Sequence, residues 1–97
     1  MKTEIINITT DARLAKIARK FCFPGFYFDV NGLYCIHFGR YLLSVFINND
    51  TDTIDVAVDE LSEAGTFDMN VEWETQVDEQ DLSDTVRRFM VKYGRNE

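Results

Sequence analysis

The apolar positions of this 97-residue chain recur with helical spacing near both ends. Residues 11–22 carry an apolar residue every three or four positions, which predicts an amphipathic helix that ends before Pro24-Gly25. Residues 79–93 show the same spacing and predict a second helix, with acids at its start and bases at its end. The two apolar stripes are Leu14, Ile17, Ala18 and Phe21, and then Leu82, Val86, Phe89, Met90 and Tyr93.

Short apolar stretches between these helices have the length of strands. Asn31-Gly32 separates residues 26–30 from residues 33–38 and predicts a β-hairpin, because both turn residues tolerate positive φ. Residues 41–47 are continuously apolar, which predicts a central strand covered on both faces. The β-prone residues 3–8 and the N-cap candidates Thr9, Thr10 and Asp11 precede the first helix.

The two later stretches alternate between apolar and polar residues. Residues 53–59 place Ile54, Val56 and Val58 on one side of a predicted strand, and a short helix over 55–64 is the alternative. Residues 66–78 alternate more clearly. Phe67, Met69, Val71, Trp73, Thr75 and Val77 are predicted to point one way, and Asp68, Asn70, Glu72, Glu74, Gln76 and Asp78 the other. The predicted fold is α+β: one domain over residues 1–97, with an antiparallel meander of four or five strands and a helix at each end.

Composition adds a strongly asymmetric distribution of charge. The net charge is −7, and residues 41–86 contain thirteen acids and no lysine or arginine. Such segregation costs stability, because two carboxylates about 7 Å apart in water repel by roughly 0.6 kcal/mol. It therefore favours a surface that meets a positively charged partner. The alternative is an ordinary acidic face whose bases return from the two ends of the chain in three dimensions.

The sequence offers little for catalysis or metal binding. His37 lies inside a predicted strand without a nucleophile at a diagnostic spacing, and we expect a structural role for it. Cys22 and Cys35 lack a second pair of ligands for zinc, and they fit a reduced cytoplasmic protein better than a disulfide scaffold. No stretch is long enough to cross a bilayer, and no signal peptide is expected. We therefore expect a cytoplasmic protein that is not an enzyme and needs no cofactor.

Carboxylates repeated along a strand suggest a function. Alternate side chains on one face of a strand lie about 6.7 Å apart, so Asp68, Glu72, Glu74 and Asp78 would form a row of negative charges. Duplex DNA is also a regular array of anions, with one charge per about 1.7 Å of its axis. The pattern thus predicts a DNA mimic that occupies a positively charged nucleic-acid-binding surface. The predicted partner-binding residues are Asp55, Asp59, Asp68, Glu72, Glu74, Asp78, Glu79 and Asp81.

In its size, acidity, segregated carboxylates and lack of catalytic residues, the chain resembles the small acidic anti-CRISPR proteins of phages and mobile elements. It is similar in particular to inhibitors of type I-F surveillance complexes that act as DNA mimics. The resemblance implies binding to the positively charged surface of a CRISPR effector complex in the host cytoplasm. Target DNA would then be blocked, without direct contact of this protein with nucleic acid or a membrane.

Other functions use the same sequence differently. An antitoxin-like inhibitor of a basic nuclease would share the mechanism and differ only in its target. A small nucleic-acid-binding or assembly protein would instead use the basic side of helix 11–22, although a net charge of −7 repels nucleic acid. The bases of that helix are Arg13, Lys16, Arg19 and Lys20.

Overall fold

A computed structural model describes residues 12–30 and 32–94, and it confirms the α+β class. Along the sequence, one helix precedes a five-stranded antiparallel sheet and a second helix follows it. Residues 1–11, with the predicted strand and the N-cap candidates, lie outside the described residues. The elements are α1 (Ala12–Phe21), β1 (Tyr27–Phe28), β2 (Tyr34–Phe38), β3 (Tyr41–Asn48), β4 (Thr53–Leu61), β5 (Phe67–Glu74), a 3₁₀ turn (Glu79–Asp81) and α2 (Leu82–Gly94).

The strands follow one another in the sheet as they do in the sequence, in the order β1-β2-β3-β4-β5. The apolar strand β3 lies at the centre, as predicted, and each strand pairs antiparallel with its neighbour. β4 is a strand through Leu61, so the alternative of a helix over 55–64 is wrong. The long pairing of β4 with β3, from Asn48 opposite Thr53 to Tyr41 opposite Glu60, explains this outcome because it satisfies the backbone of β4.

Both helices pack on the same side of the sheet, which we call the helix face. Leu43 and Val45 of β3 and Val56 and Val58 of β4 have no exposed surface and form one core with the apolar stripes of the helices. Among the described residues no helix joins this core from the opposite side, which we call the outer face. The prediction that β3 is covered on both faces is therefore confirmed only in part: helices cover one face, and on the outer face Ser44 is buried by side chains of the sheet.

The chain reverses before β1 and between β1 and β2 with the help of two glycines. Gly25 has a φ of +83°, and a Cβ at this position would lie 2.9 Å from Cδ1 of Ile36. In the predicted hairpin turn, the N–H of Gly32 donates to the carbonyl of Asp29 at 3.0 Å, and Gly32 also has positive φ. The hairpin is confirmed, although β1 is shorter than the predicted residues 26–30.

β5 departs from simple alternation because its pairing with β4 shifts register twice. Glu72 lies opposite Val58, but the next pair is Asn70 with Asp59, so that one residue of β5 is skipped. A second shift follows between Glu60 and Leu61. Each such β-bulge changes which residues share a face. The predicted row on one face of a strand is therefore confirmed only for Glu72 and Glu74, because Asp68 is the residue skipped at the second shift and Asp78 lies beyond the end of β5. The helices in the described ranges lack the length and apolarity needed to cross a membrane.

Candidate functional site

The bases outside residues 41–86 return to the acids inside that stretch. Within the described residues, all six ion pairs join one acid from residues 41–86 to one base from outside it. This is the arrangement expected of an ordinary acidic face, and it breaks up a continuous anionic array. The pairs are Asp52–Arg13, Glu79–Lys20, Glu60–Arg40, Asp84–Arg87, Glu74–Arg88 and Glu72–Lys92.

Two of the predicted partner-binding residues hold α2 against the sheet. Glu72 and Glu74 lie opposite Val58 and Val56, which places them on the helix face. Glu72 accepts hydrogen bonds from the Tyr93 hydroxyl at 2.5 Å and from Lys92 at 2.9 Å. These hydrogen bonds lower the pKa of Glu72, and burial together with the bond to Glu72 raises the pKa of Tyr93. Both glutamates therefore act within the fold rather than on a free surface.

The basic side of α1 is partly occupied as well. Arg13 pairs with Asp52, and Lys20 donates to Glu79 at 3.0 Å. Only Lys16 and Arg19 of the four bases have no ion pair with the described residues. Two neighbouring charges are a weak electrostatic footprint for a nucleic acid, whose binding rests on neutralising several phosphates. The ion pairs of α1 thus weigh against helix 11–22 as a nucleic-acid-binding element.

Asp55 is completely buried on the outer face, although it is predicted to contact a partner. Its side chain is 0% exposed, and no base of the described residues forms an ion pair with it. A carboxylate without exposed surface cannot contact a partner directly. Five donors surround it at 2.8–3.2 Å: the side chains of Asn48, Thr53, Trp73 and Thr75 and the backbone N–H of Gln76.

These donors keep Asp55 ionised and connect three neighbouring strands of the sheet. Burial by itself raises the pKa of Asp55, but the side-chain hydrogen bonds outweigh burial and lower the pKa from 3.8 to about 2. The N–H of Gln76 donates to the carboxylate from a residue with a φ of +58°, a conformation that costs free energy for a non-glycine residue. Asp55 therefore connects β4 to the end of β5 and to the chain that leaves it.

Trp73 is the most informative residue that the sequence pattern did not single out as a site residue. Its indole N–H donates to Oδ2 of Asp55 at 2.9 Å, yet the residue is 53% exposed. The Phe46 ring packs against it at 5.7 Å between centroids and 68° between planes. A large aromatic side chain held in place while half of it faces solvent is typical of an interface residue. Trp73 occupies the side opposite to the core because it lies opposite Ala57, next to Glu72 on the helix face.

Other apolar residues of β5 are exposed beside Trp73. Of the six large hydrophobic residues that are exposed in the described chain, three belong to β5. The Asn70 carboxamide fixes the bulge between them by donating to the Val58 carbonyl at 3.3 Å and to the Asp59 carboxylate at 3.0 Å. Met69 lies opposite Glu60 on the side of the helix face, and Trp73 lies opposite Ala57 on the outer face, so these residues surround the free edge of the β4–β5 hairpin. We call this region the hairpin surface and define it by Met69, Val71 and Trp73 together with the nearby acids Asp59, Glu63 and Asp68.

Apart from the buried Asp55, the acids of residues 41–86 that form no ion pair within the described chain fall into two groups at opposite ends of β4. Asp59, Glu63 and Asp68 lie around the β4–β5 turn, and none of them forms an ion pair in the described chain. A second group lies at the β3–β4 turn and the 3₁₀ turn, where Lys20 and Arg13 of α1 approach. The predicted site is thus divided into two clusters instead of forming one surface. The second group comprises Asp50, Asp78 and Asp81, beside the paired Glu79.

The described residues offer no group of side chains for a metal ion and no disulfide. Among residues 12–30 and 32–94, no three His, Cys, Asp or Glu side chains are grouped so that they could hold a metal ion. Both cysteines are free thiols, with Cys22 exposed and Cys35 buried. Burial and the nearby Asp29 charge raise the pKa of Cys35 to about 11. His37 is exposed and packs edge-on against Phe67.

Comparison of this chain with protein-family models, curated proteins and solved structures gave no match.

Proposed function

We propose that this chain is a non-catalytic binding protein that docks its hairpin surface on a cationic surface of another protein. The observation that carries the proposal is the exposure of Trp73, Met69 and Val71 on a single strand, near three carboxylates that form no ion pair within the described residues. Interfaces concentrate tryptophan and methionine at their centres and polar residues around them. Apolar contacts would supply affinity, and the acids would select a basic partner.

Side-chain contact suits this surface better than addition of a strand. β5 is the last strand of the sheet, which leaves one of its edges unpaired within the described chain. Its two register shifts interrupt the regular spacing of backbone donors and acceptors that a further strand would need. The carboxylates Asp68, Glu72 and Glu74 on the same strand also oppose pairing with a copy of itself. A partner would therefore contact the exposed side chains.

The narrower form of the proposal is an inhibitor that mimics DNA. Its targets would be a CRISPR surveillance complex or, as in an antitoxin, a basic nuclease. It is supported by the net charge of −7 and by the exposed carboxylates that no base of residues 12–30 and 32–94 pairs with. The ion pairs of Glu72, Glu74 and Glu79 weigh against a continuous phosphate-like row. Inhibition would then depend on blocking access through the hairpin surface and not on copying the spacing of a duplex.

Two triple variants with equal charge changes test the proposal. In Asp59→Asn/Glu63→Gln/Asp68→Asn the acids of the hairpin surface are neutralised, whereas Asp50→Asn/Asp78→Asn/Asp81→Asn neutralises the second group. Binding to a purified type I-F surveillance complex and to a basic ribonuclease is measured by surface plasmon resonance, together with binding of their nucleic-acid ligands. We expect the wild-type chain to bind one of the two and to exclude its nucleic acid.

The matched variants separate the hairpin surface from general electrostatics. We expect the hairpin variant to bind about tenfold or more weakly, because it loses three charges that would face the basic partner, and the control variant to bind nearly as well as the wild type. Equal weakening by both would assign the effect to the field of the whole molecule, in agreement with DNA mimicry and against the hairpin surface. Absence of binding by the wild-type chain to either protein would overturn the proposal.

A further inference from the structure

We propose that Trp73 is the anchor for an arginine side chain of the cationic partner, with Asp55 as the residue that positions the indole and supplies a negative charge behind it. This inference rests on the proposed function, because it names the group that the hairpin surface recognises. Trp73 would contact the guanidinium directly. Asp55 would act only through Trp73, because it is buried.

The contacts of Trp73 hold its ring in one orientation. The N–H edge is tied to Asp55 at 2.9 Å, and Phe46 packs at 68° to the indole plane. Asp55 cannot rotate away easily, since Asn48, Thr53 and Thr75 donate to its two oxygens at 2.8–3.0 Å. An exposed side chain whose rotamer is already fixed loses little conformational entropy when a partner binds. The geometry is thus that of a preorganised aromatic platform.

The electrostatics of this platform favour a cation. Tryptophan has the strongest cation–π attraction of the aromatic side chains. The carboxylate of Asp55 carries a negative charge that no base of the described chain neutralises, and burial reduces its screening by salt. A cation over the indole would lie within about 10 Å of that carboxylate, close enough to feel its charge. Among partner groups, guanidinium stacks on aromatic rings and is more weakly hydrated than ammonium, so arginine fits this site better than lysine.

Trp73 is the only tryptophan of the chain, so its fluorescence reports this site directly. The test titrates the full chain with three versions of one peptide, in which glycine alternates with arginine, with lysine or with the uncharged analogue citrulline. We expect the arginine peptide to change the Trp73 emission at the lowest concentration. The lysine peptide should bind more weakly, and the citrulline peptide should have no effect. Equal responses to the arginine and citrulline peptides would overturn the proposal.

Variants of the platform decide whether Trp73 and Asp55 act as proposed. By calorimetry we expect Trp73→Leu to weaken binding of the arginine peptide about tenfold and Trp73→Phe, which keeps a ring, to weaken it less. Asp55→Asn should also weaken it, whereas Asp50→Asn, a charge-matched control at an exposed turn residue outside the platform, should bind as the wild type does. If Asp55→Asn loses its native near-ultraviolet circular dichroism, the two Trp73 variants decide the matter.

The failure of this inference differs from the failure of the proposed function. Unchanged arginine binding by Trp73→Leu, with binding of the cationic protein still lost in the hairpin triple variant, would remove the anchor and leave the proposed function intact. If the wild-type chain binds no cationic protein at all, both the arginine anchor and the proposed function are wrong.

Discussion

Asp55 shows at the scale of one residue how a strand pattern hides a structural role. Its position between Ile54 and Val56 indicates a side chain that points away from the core, and it does so. Burial nevertheless follows, because Phe46 and Trp73 of the neighbouring strands occupy the outer face around it. The signal that would have revealed this is the pair of aromatic residues at outward positions, which alternation alone treats as part of the core.

Asp55→Asn is expected to reduce stability and its dependence on pH. Hydrogen bonds hold the folded-state pKa near 2, below the unfolded value of 3.8, so the ionised carboxylate contributes about 2 kcal/mol above pH 4. That contribution is lost as the pH falls towards 2, and roughly half of it is gone at pH 3. Urea denaturation at pH 7 and pH 3 should show a variant that is about 2–4 kcal/mol less stable at pH 7 and less sensitive to acid.

Asp50→Asn provides the control for this measurement, because Asp50 is an exposed turn residue. It should match the wild type at both pH values. A stability of Asp55→Asn equal to that of the wild type at pH 7 would mean that the five donors find other partners when the charge is removed.

At the scale of elements, the sequence predicts best what is decided by near neighbours. The stripe of α1, the β1–β2 hairpin and the central position of β3 all depend on residues a few positions apart. The faces of β5 do not, because its two bulges arise from pairing with β4. The two bulges offset each other, so Phe67 and Trp73 share the outer face as alternation predicts, whereas Met69, between the bulges, lies opposite Glu60 on the side of the helix face.

The contacts that attach α2 to β5 allow the stability contributed by a tyrosine hydrogen bond to be compared with that of a lysine ion pair. Tyr93→Phe removes the hydroxyl that donates to Glu72 from a largely buried ring, and we expect a loss of about 1–2 kcal/mol. Lys92→Ala removes an ion pair to the same oxygen, but the lysine side chain is 58% exposed, so the loss should stay below about 1 kcal/mol. Urea denaturation measures both. A larger loss for Lys92→Ala would show that charge dominates this attachment.

For the whole molecule, charge predicts the state of association. A copy of β5 paired antiparallel about Val71 would place Asp68 opposite Glu74 twice, and each chain carries a net charge of −7. We therefore expect sedimentation equilibrium to give the monomer mass of 11.3 kDa at low ionic strength. A dimer that persists at low salt would instead indicate that the apolar residues of the hairpin surface cover each other.

The same charge predicts how binding to a cationic partner responds to salt. The acids of the hairpin surface are exposed or half-exposed, so salt screens their attraction over about 8–10 Å at ordinary ionic strength. Affinity measured by calorimetry should fall as sodium chloride is raised, mainly through slower association. An affinity that is independent of salt would assign the contact to apolar side chains alone.

The unequal burial of the two thiols has a practical consequence. Cys22 is exposed at the end of α1, whereas Cys35 is completely buried and its pKa is raised to about 11. A maleimide reagent at neutral pH should therefore modify one thiol and spare the other, since the thiolate is the reactive form. Immobilised through that thiol, the native chain would be tethered by the helix side of its sheet, leaving the tryptophan side turned towards the solution.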